Sequence, residues 1–313
     1  MDVRPGGSDL IWFLLTLVIW SSMEAVSKPL MGWFDPFSLT FCRFLCGIAV
    51  LAVVAALQGR LKEFRSLDRR TLLMLCSMGL LNTFLSMSLL QLAVLHSTPA
   101  TAATVFCVHP VLVLAGSVIL GWERFSWIRS AAFAAAFAGV ALVSSAAPGG
   151  GLAGPAFALA AALAFASYTL MSKKVSGRVS PVTANLVSFC AGVVALGVFM
   201  AATGRDPVPG NPAGAGTADL LRFIHLGVLV SGIGYLTFFR ALKAMPVSAA
   251  SLIFFLKPVL ATGFSAALTG ERPSAAFFAG LALVVLSTAA CLLSRPRPRS
   301  GPCPGPRPGP RLG

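Results

Sequence analysis

Long apolar segments, separated by short polar or charged stretches, run along almost the whole chain. A helix needs roughly 20 predominantly apolar residues to cross about 30 Å of hydrocarbon, and ten segments reach about that length. The pattern therefore predicts an all-α integral membrane protein with ten transmembrane helices. The predicted spans are Leu10–Met31, Pro36–Leu57, Thr71–Leu95, Pro99–Leu120, Ser126–Ser144, Leu152–Ser172, Pro181–Thr203, Leu220–Ala244, Val247–Leu268 and Ser274–Ser294.

The second half of the sequence repeats features of the first half at a nearly constant spacing. The stretch HPVLVLAGSVILGWER begins at His109, and KPVLATGFSAALTGER begins at Lys257, an offset of 148. The matched pairs are Pro110 with Pro258, Glu123 with Glu271, Arg124 with Arg272 and Met87 with Tyr235 at that offset, and Pro36 with Pro181 at an offset of 145.

Five helices in each repeat is an odd number, so the second repeat would enter the membrane from the opposite side. Inverted repeats of this kind place a binding site near the membrane midplane, and one half rocks against the other to give alternating access. We expect residues 1–145 to form the first repeat and residues 146–295 the second. The tail 296–313, rich in Pro, Gly and Arg, is predicted to be disordered and cytoplasmic.

Composition and charge agree with a protein that lies in lipid. Hydrophobic residues make up 57% of the chain, charged residues 11%, and the mean hydropathy is +0.85. In a soluble protein the net charge of +14 would suggest nucleic-acid binding. Here most of the basic residues lie between apolar segments or in the tail, which predicts a cell (plasma or inner) membrane location, both termini in the cytoplasm, contact with anionic lipids and no nucleic-acid partner.

Sequence signatures of metal sites, cofactor sites and enzymes are missing. The seven cysteines form no CxxC pair, and no Walker loop, HExxH or GxSxG stands in a suitable context. We therefore expect no cofactor, no metal and no enzymatic activity. Without an ATP site, transport would be secondary, with a proton or a counter-substrate as the candidate coupling partner.

Several of these motifs resemble the EamA family of the drug/metabolite transporter (DMT) superfamily. The resemblance covers roughly Leu10 to Ser294 and includes WSSMEAVSK from Trp20, PFSLTFCRF from Pro36 and the two repeated proline segments described above. It implies a ten-helix fold of two inverted repeats and transport of metabolites, often export of amino acids or related compounds. It does not fix the substrate.

Ionisable residues at membrane depth are costly unless they are paired or hydrated, so each is a candidate site residue. His109 and Lys257 lie near the centres of their predicted helices, and each precedes a proline at a matching position of the repeat. We expect both to flank the central pathway, where His109 could also carry a proton. The structural alternatives are a Lys257 bonded to helix-end carbonyls and a neutral His109 satisfied by one hydrogen bond.

Glu24 and Arg43 fall at similar depths of the first two predicted helices and could form an ion pair. Glu24 could also pair with Lys28, four residues later on the same helix. The first helix is similar to that of the small multidrug resistance branch, whose membrane glutamate binds protons and cationic drugs, although the residues around Glu24 differ from that pattern. At the repeat offset of 145, the position equivalent to Arg43 is Ser188, so this part of the site is expected to be asymmetric.

Aromatic residues complete the predicted substrate-binding set. Trp20, Tyr168 and Tyr235 fall within the bilayer, where their polar atoms need partners. Nearby hydroxyl groups that could supply them belong to Ser167, Thr169 and Ser231. By contrast, Glu123 and Glu271 stand at helix ends before an arginine, where they are expected to stabilise loops and helix caps.

The leading hypothesis is a secondary transporter that exports small polar metabolites such as amino acids or organic acids. Cationic candidates outnumber the single intramembrane anion, which favours an anion or zwitterion as substrate. One alternative is a proton-coupled antiporter of cationic drugs that depends on Glu24. The other is a membrane scaffold that transports nothing.

Overall fold

The computed structural model describes residues 7–122, 126–146, 151–175, 178–207, 216–238 and 253–293, and these residues contain helices and no β-strand. We number the long helical segments in chain order. They are α1 (Ile11–Leu30), α2 (Pro36–Leu57), α3 (Arg69–His96), α4 (Pro99–Ile119), α5 (Trp127–Ser145), α6 (Ala153–Val175), α7 (Pro181–Ala202), α8 (Thr217–Phe238), α9 (Ile253–Thr269) and α10 (Ala275–Leu293).

Among the described residues, seven helices are long and apolar enough to cross a membrane, namely α1 to α4 and α6 to α8. The prediction of an all-helical, multi-pass membrane protein is therefore confirmed. The other three, α5, α9 and α10, are apolar helices of 17 to 19 residues. A count of ten spans stays a prediction. The predicted end at Ala244, the predicted start at Val247 and the tail 296–313 lie outside the described residues.

Three helices begin in the same way, with a polar N-cap residue followed by proline. Asp35, Thr98 and Ser180 each accept a hydrogen bond from a backbone N–H in the first turn of α2, α4 and α7. The cap satisfies one of the amide groups left without a partner at a helix start, and proline has no amide hydrogen to satisfy. This local chemistry explains why the predicted starts of these helices agree with the structure.

Two helices contain a π-helical segment. It covers Leu80–Ser86 in α3 and His225–Ile233 in α8. The two segments overlap when the sequence is shifted by the repeat offset of 148. A π segment widens the helix locally and is frequent at functional sites.

Helix contacts come in matched sets. The helix α2 packs on α8 as α7 packs on α3, and α1 packs on α9 as α6 packs on α4. In each set, every helix of the second contact is the counterpart, five helices away along the chain, of a helix in the first. For example, α7 is the counterpart of α2, and α3 is the counterpart of α8. The helices α5 and α10 pack closely against each other at the side of the bundle.

Glycines allow two of these helix crossings to be very close. A Cβ atom at Gly79 of α3 would overlap the carbonyl oxygen of Ser188 on α7, where Gly192 also lies in the contact. At the matching crossing, a Cβ atom at Gly227 of α8 would lie 2.7 Å from the Cβ of Cys46 on α2. Small residues at such crossings let backbones approach and gain van der Waals contact, which is the main attraction between helices in lipid.

Candidate functional site

A small cavity lies among seven of the helices, α1 to α4, α6, α8 and α9. Its volume of about 30 Å³ is room for one or two water molecules. Most of the wall is aromatic or aliphatic, and two residues in it carry a positive charge. The wall residues are Trp20, Met23, Arg43, Met87, Leu90, Phe106, Phe165, Val230, Tyr235 and Lys257.

The central ion pair joins α1 to α9. The Nζ of Lys257 donates a hydrogen bond to Oε1 of Glu24 at 2.6 Å, and the two residues are 4% and 0% exposed. Lys257 therefore bonds to a side chain of the neighbouring helix α1 and not to helix-end carbonyls. Its ammonium also lies 5.1 Å from the ring centroid of Phe106.

The predicted pairing of Glu24 with Arg43 or Lys28 is wrong, because Glu24 bonds to Lys257. Lys28 instead donates to the backbone carbonyls of Val94, Leu95 and Ser97 at 2.6, 3.1 and 2.8 Å. These carbonyls stand at the C-terminal end of α3, where the helix leaves acceptors without partners and where a cation is favourable. Lys28 thus fixes the end of α1 to the end of α3.

Arg43 is a buried cation with no carboxylate within bonding distance among the described residues, and Glu24 acts on it only over a longer distance. It is 1% exposed, and its Nη1 lies 3.2 Å from the thioether sulfur of Met23. The centre of the guanidinium lies 4.8 Å from the ring centroid of Phe44. Its Nε and Nη2 atoms have no hydrogen-bond partner in the described part of the chain. Burying these groups is unfavourable, so Arg43 is the most unusual residue of the cavity wall.

His109 lies behind the cavity wall. Its Nδ1 is 3.0 Å from the carbonyl oxygen of Phe106, and its ring packs edge to face on Phe165 with centroids 4.9 Å apart. Thus the structure places Lys257 in the wall and His109 one layer further out, although the repeat makes them equivalent. The His109 ring contacts Phe106 and Phe165, both of which line the cavity.

Two of the three predicted aromatic residues line the cavity together. Trp20 and Tyr235 pack edge to face with centroids 5.2 Å apart, and the Tyr235 hydroxyl accepts a hydrogen bond from Nδ2 of Asn82 at 3.3 Å. Tyr168 lies outside the wall and packs on Phe165.

The hydroxyl groups expected to serve these aromatic residues bond elsewhere. Ser167, Thr169 and Ser231 each donate to a carbonyl of their own helix. Hydroxyl side chains on a helix commonly make this bond, and in apolar surroundings it satisfies the donor without help from a neighbouring helix.

The residues missed by the sequence reasoning are mostly apolar. Met23, Leu90, Phe106, Phe165 and Val230 line the cavity, yet apolar side chains also cover every lipid-facing surface and so carry no signal of their own. Two signals were available. The repeat matched Met87 with Tyr235, and both line the cavity; Asn82 is a rare buried amide in an apolar segment.

A second, more polar cavity of about 90 Å³ lies where α4 begins and α9 ends. It is bounded by Thr98, Thr101, Glu271 and Arg272, among others. Burial raises the pKa of the Glu271 carboxyl above its ordinary value. The position beside the first turn of α4 suits the helix-end role predicted for Glu271, and Glu123 lies outside the described residues.

The described residues contain no cluster of His, Cys, Asp or Glu that could hold a metal ion. The groups present at the central cavity are the Lys257 ammonium paired with Glu24, the Arg43 guanidinium and an aromatic wall.

Two curated relatives match this chain over most of its length. An "Uncharacterized transporter" of Clostridium kluyveri is 29% identical over 287 residues, covering 89% of this chain and 91% of the relative. A "Probable terminal-alkyne amino-acid exporter" of Streptantibioticus cattleyicolor is 27% identical over 279 residues, covering 88% and 91%.

The fold is found among solved structures as well. A crystal structure that carries no functional description matches with a TM-score of 0.62 and 23% identity, covering 91% of this chain and 97% of the other.

The model of the EamA-like transporter family matches residues 8–145 and again residues 152–293, so that almost the whole chain is covered by two copies. The resemblance noted in the sequence is confirmed, and the chain belongs to the EamA-like transporter family.

Proposed function

We propose that the protein is a secondary transporter that exports small polar metabolites such as amino acids or organic acids. The observation that carries the proposal is the buried charge in the central cavity, where Lys257 pairs with Glu24 and Arg43 stands unpaired. Buried charges at membrane depth are expensive and mark substrate or ion pathways. The proposed setting is the cell membrane, with both termini in the cytoplasm.

The proposed mechanism is alternating access between two inverted repeats, residues 1–145 and 146–295. Support comes from the matched helix contacts, from the paired π segments and from the position of the ion pair. Glu24 belongs to the first half and Lys257 to the second, so the pair bridges the surfaces that would separate during rocking. The cavity is too small for an amino acid in this conformation, and its walls must part before a substrate enters.

Charge and similarity both support the proposed substrate class. Two cations line the cavity, and the one carboxylate beside them, Glu24, lies outside the wall and is bonded to Lys257; this excess of positive charge favours a substrate that carries a negative group. The relative from Streptantibioticus cattleyicolor is named an amino-acid exporter, and this supports export as the direction.

A second candidate function is proton-coupled antiport of cationic drugs, favoured by the buried Glu24 carboxylate, whose Oε2 has no hydrogen-bond partner among the described residues. In that mechanism a cation must displace the Lys257 ammonium from Glu24. The pairing seen here makes this displacement costly, so we rank the function second.

The test is counterflow in liposomes that contain the full-length protein, with labelled amino acids, organic acids and quaternary cations. We expect flux of an amino acid or organic acid, at least tenfold slower in Lys257→Met and in Glu24→Gln. The matched control is Lys28→Met. Lys28 is on the same helix as Glu24, α1, but lies outside the cavity wall. Unfolding temperatures of every variant separate loss of fold from loss of transport.

Two results would change the conclusion. Flux of quaternary cations alone, dependent on Glu24 and indifferent to Lys257, would establish the drug antiporter. Absence of flux for every solute class under imposed proton and counter-substrate gradients would leave the scaffold as the explanation.

A further inference from the structure

We infer that Arg43 is the anchor for a substrate carboxylate, and that the substrate carries this single carboxylate on an apolar body. The inference rests on the proposed function, because it names the substrate chemistry of the same cavity. It assigns the anionic group to Arg43 and not to Lys257.

The balance of charges separates the roles of the two cations. Lys257 is neutralised by Glu24, which lies 2.6 Å away and outside the cavity wall. Arg43 lines the same cavity and has no carboxylate bonded to it among the described residues. An arginine keeps its charge in proteins, and the one carboxylate that acts on Arg43, that of Glu24, is already hydrogen-bonded to Lys257. Two cations and one carboxylate leave one positive charge in excess, which favours an anion from outside the chain.

The orientation of the guanidinium fits a carboxylate. Its Nη1 is turned toward the sulfur of Met23, which is a weak acceptor. Its Nε and Nη2 are the two unpartnered atoms, and their N–H bonds run parallel along one edge of the guanidinium. This edge is the fork that binds both oxygens of a carboxylate.

The remaining wall sets the character of the rest of the ligand. Trp20, Phe106, Phe165 and Leu90 present aromatic and aliphatic surface. Such a wall binds the apolar part of a ligand favourably, and it provides no second site for an anionic group. A branched or aromatic α-amino acid and its deaminated counterpart both carry a carboxylate on such a body.

The experiment measures ligand protection of the full-length protein in lipid nanodiscs by thermal unfolding, at a series of concentrations. The probes are L-leucine, 4-methyl-2-oxopentanoate, L-leucinamide and isopentylamine, which share one apolar body. We expect leucine, the oxo acid or both to bind about 10- to 100-fold more tightly than the amide and the amine, which is the usual effect of a hydrogen bond to a charged group. The oxo acid and leucine together show whether the ammonium group contributes.

Variants assign the discrimination to Arg43. In Arg43→Gln, we expect carboxylate binding to fall about 10- to 100-fold and the preference for carboxylate over amide to disappear, while amide binding stays unchanged. A merely structural role would weaken all probes together. The matched control is Arg205→Gln, which removes an arginine paired with Asp35 in an ion pair at the protein surface, and it should keep the preference. Arg43→Lys retains the charge without the fork and gives a second reading if Arg43→Gln does not fold.

The inference fails if wild type binds amide and carboxylate equally, if it binds none of the four probes, or if Arg43→Gln or Arg43→Lys keeps the full preference. Counterflow with the same probes separates this failure from failure of the proposed function. Equal flux of leucine and leucinamide would leave a transporter without the carboxylate anchor. Selective binding without flux would leave the anchor in a protein that does not transport.

Discussion

Replacing Lys257 with methionine leaves the Glu24 carboxylate buried with no partner. Glu24 is 0% exposed, and Lys257 is its only hydrogen-bond partner among the described residues. Removing one member of a buried pair costs about 3–5 kcal/mol, because the other charge stays buried and uncompensated. Methionine is close to lysine in length and unbranched, so little of this loss comes from packing.

The measurement is a double-mutant cycle on the free energy of unfolding in mixed micelles. We expect Lys257→Met and Glu24→Gln each to be destabilising and the double variant to recover about 2 kcal/mol or more of the summed loss. Lys28→Met combined with Glu24→Gln is the matched control. Its two effects should add, since Lys28 bonds to the carbonyls at the end of α3. Additivity within about 0.5 kcal/mol for the Lys257 cycle would refute the pair as a stabilising contact.

Two further predictions concern stability away from the cavity. Hydrogen bonds to the Glu63 carboxylate lower its pKa from an ordinary 4.5 to about 2, and the bond with Ser180 has the largest effect. The stability that these bonds give is therefore present at neutral pH and is lost as the pH falls toward 2. The unfolding temperature of wild type should drop through this range and that of Glu63→Gln should drop less; equal drops would contradict the prediction. Gly79→Ala should lower the unfolding temperature, because its Cβ would overlap the Ser188 carbonyl. Gly263→Ala, at an open site of α9, should leave the unfolding temperature unchanged or raise it, with a gain of up to about 1 kcal/mol in the free energy of unfolding. Equal effects of the two glycine changes would show that the crossing at α3 and α7 can relax.

The positions of the long helices could be predicted from the sequence, because a helix that crosses a lipid bilayer must be apolar over roughly 20 residues. The starts of α2, α4 and α7 were predictable too, since a polar cap residue precedes proline at all three. The partner of Glu24 was not. Depth along a helix can be counted from the sequence, but the choice between Arg43 and Lys257 depends on which helix packs against α1 beside Glu24, and neither the apolar pattern nor the repeat determines that.

His109 and Lys257 differ in a way that the sequence repeat does not predict. The repeat places the two residues at equivalent positions, but only Lys257 lines the cavity. His109 packs on Phe106 and Phe165, and these two side chains line the cavity in its place. Equivalent backbone positions therefore do not ensure equivalent exposure to the pathway when the packing residues around them differ.

The size of the central cavity has a consequence for the membrane around the protein. A space for one or two water molecules behind aromatic side chains cannot hold a continuous file of water from one face to the other. An inorganic ion would have to lose its hydration shell to enter, and that loss is very unfavourable in apolar surroundings. We therefore expect this cavity, as the described residues bound it, to pass no inorganic ion in this conformation, so that it does not dissipate an ion gradient while no substrate is carried.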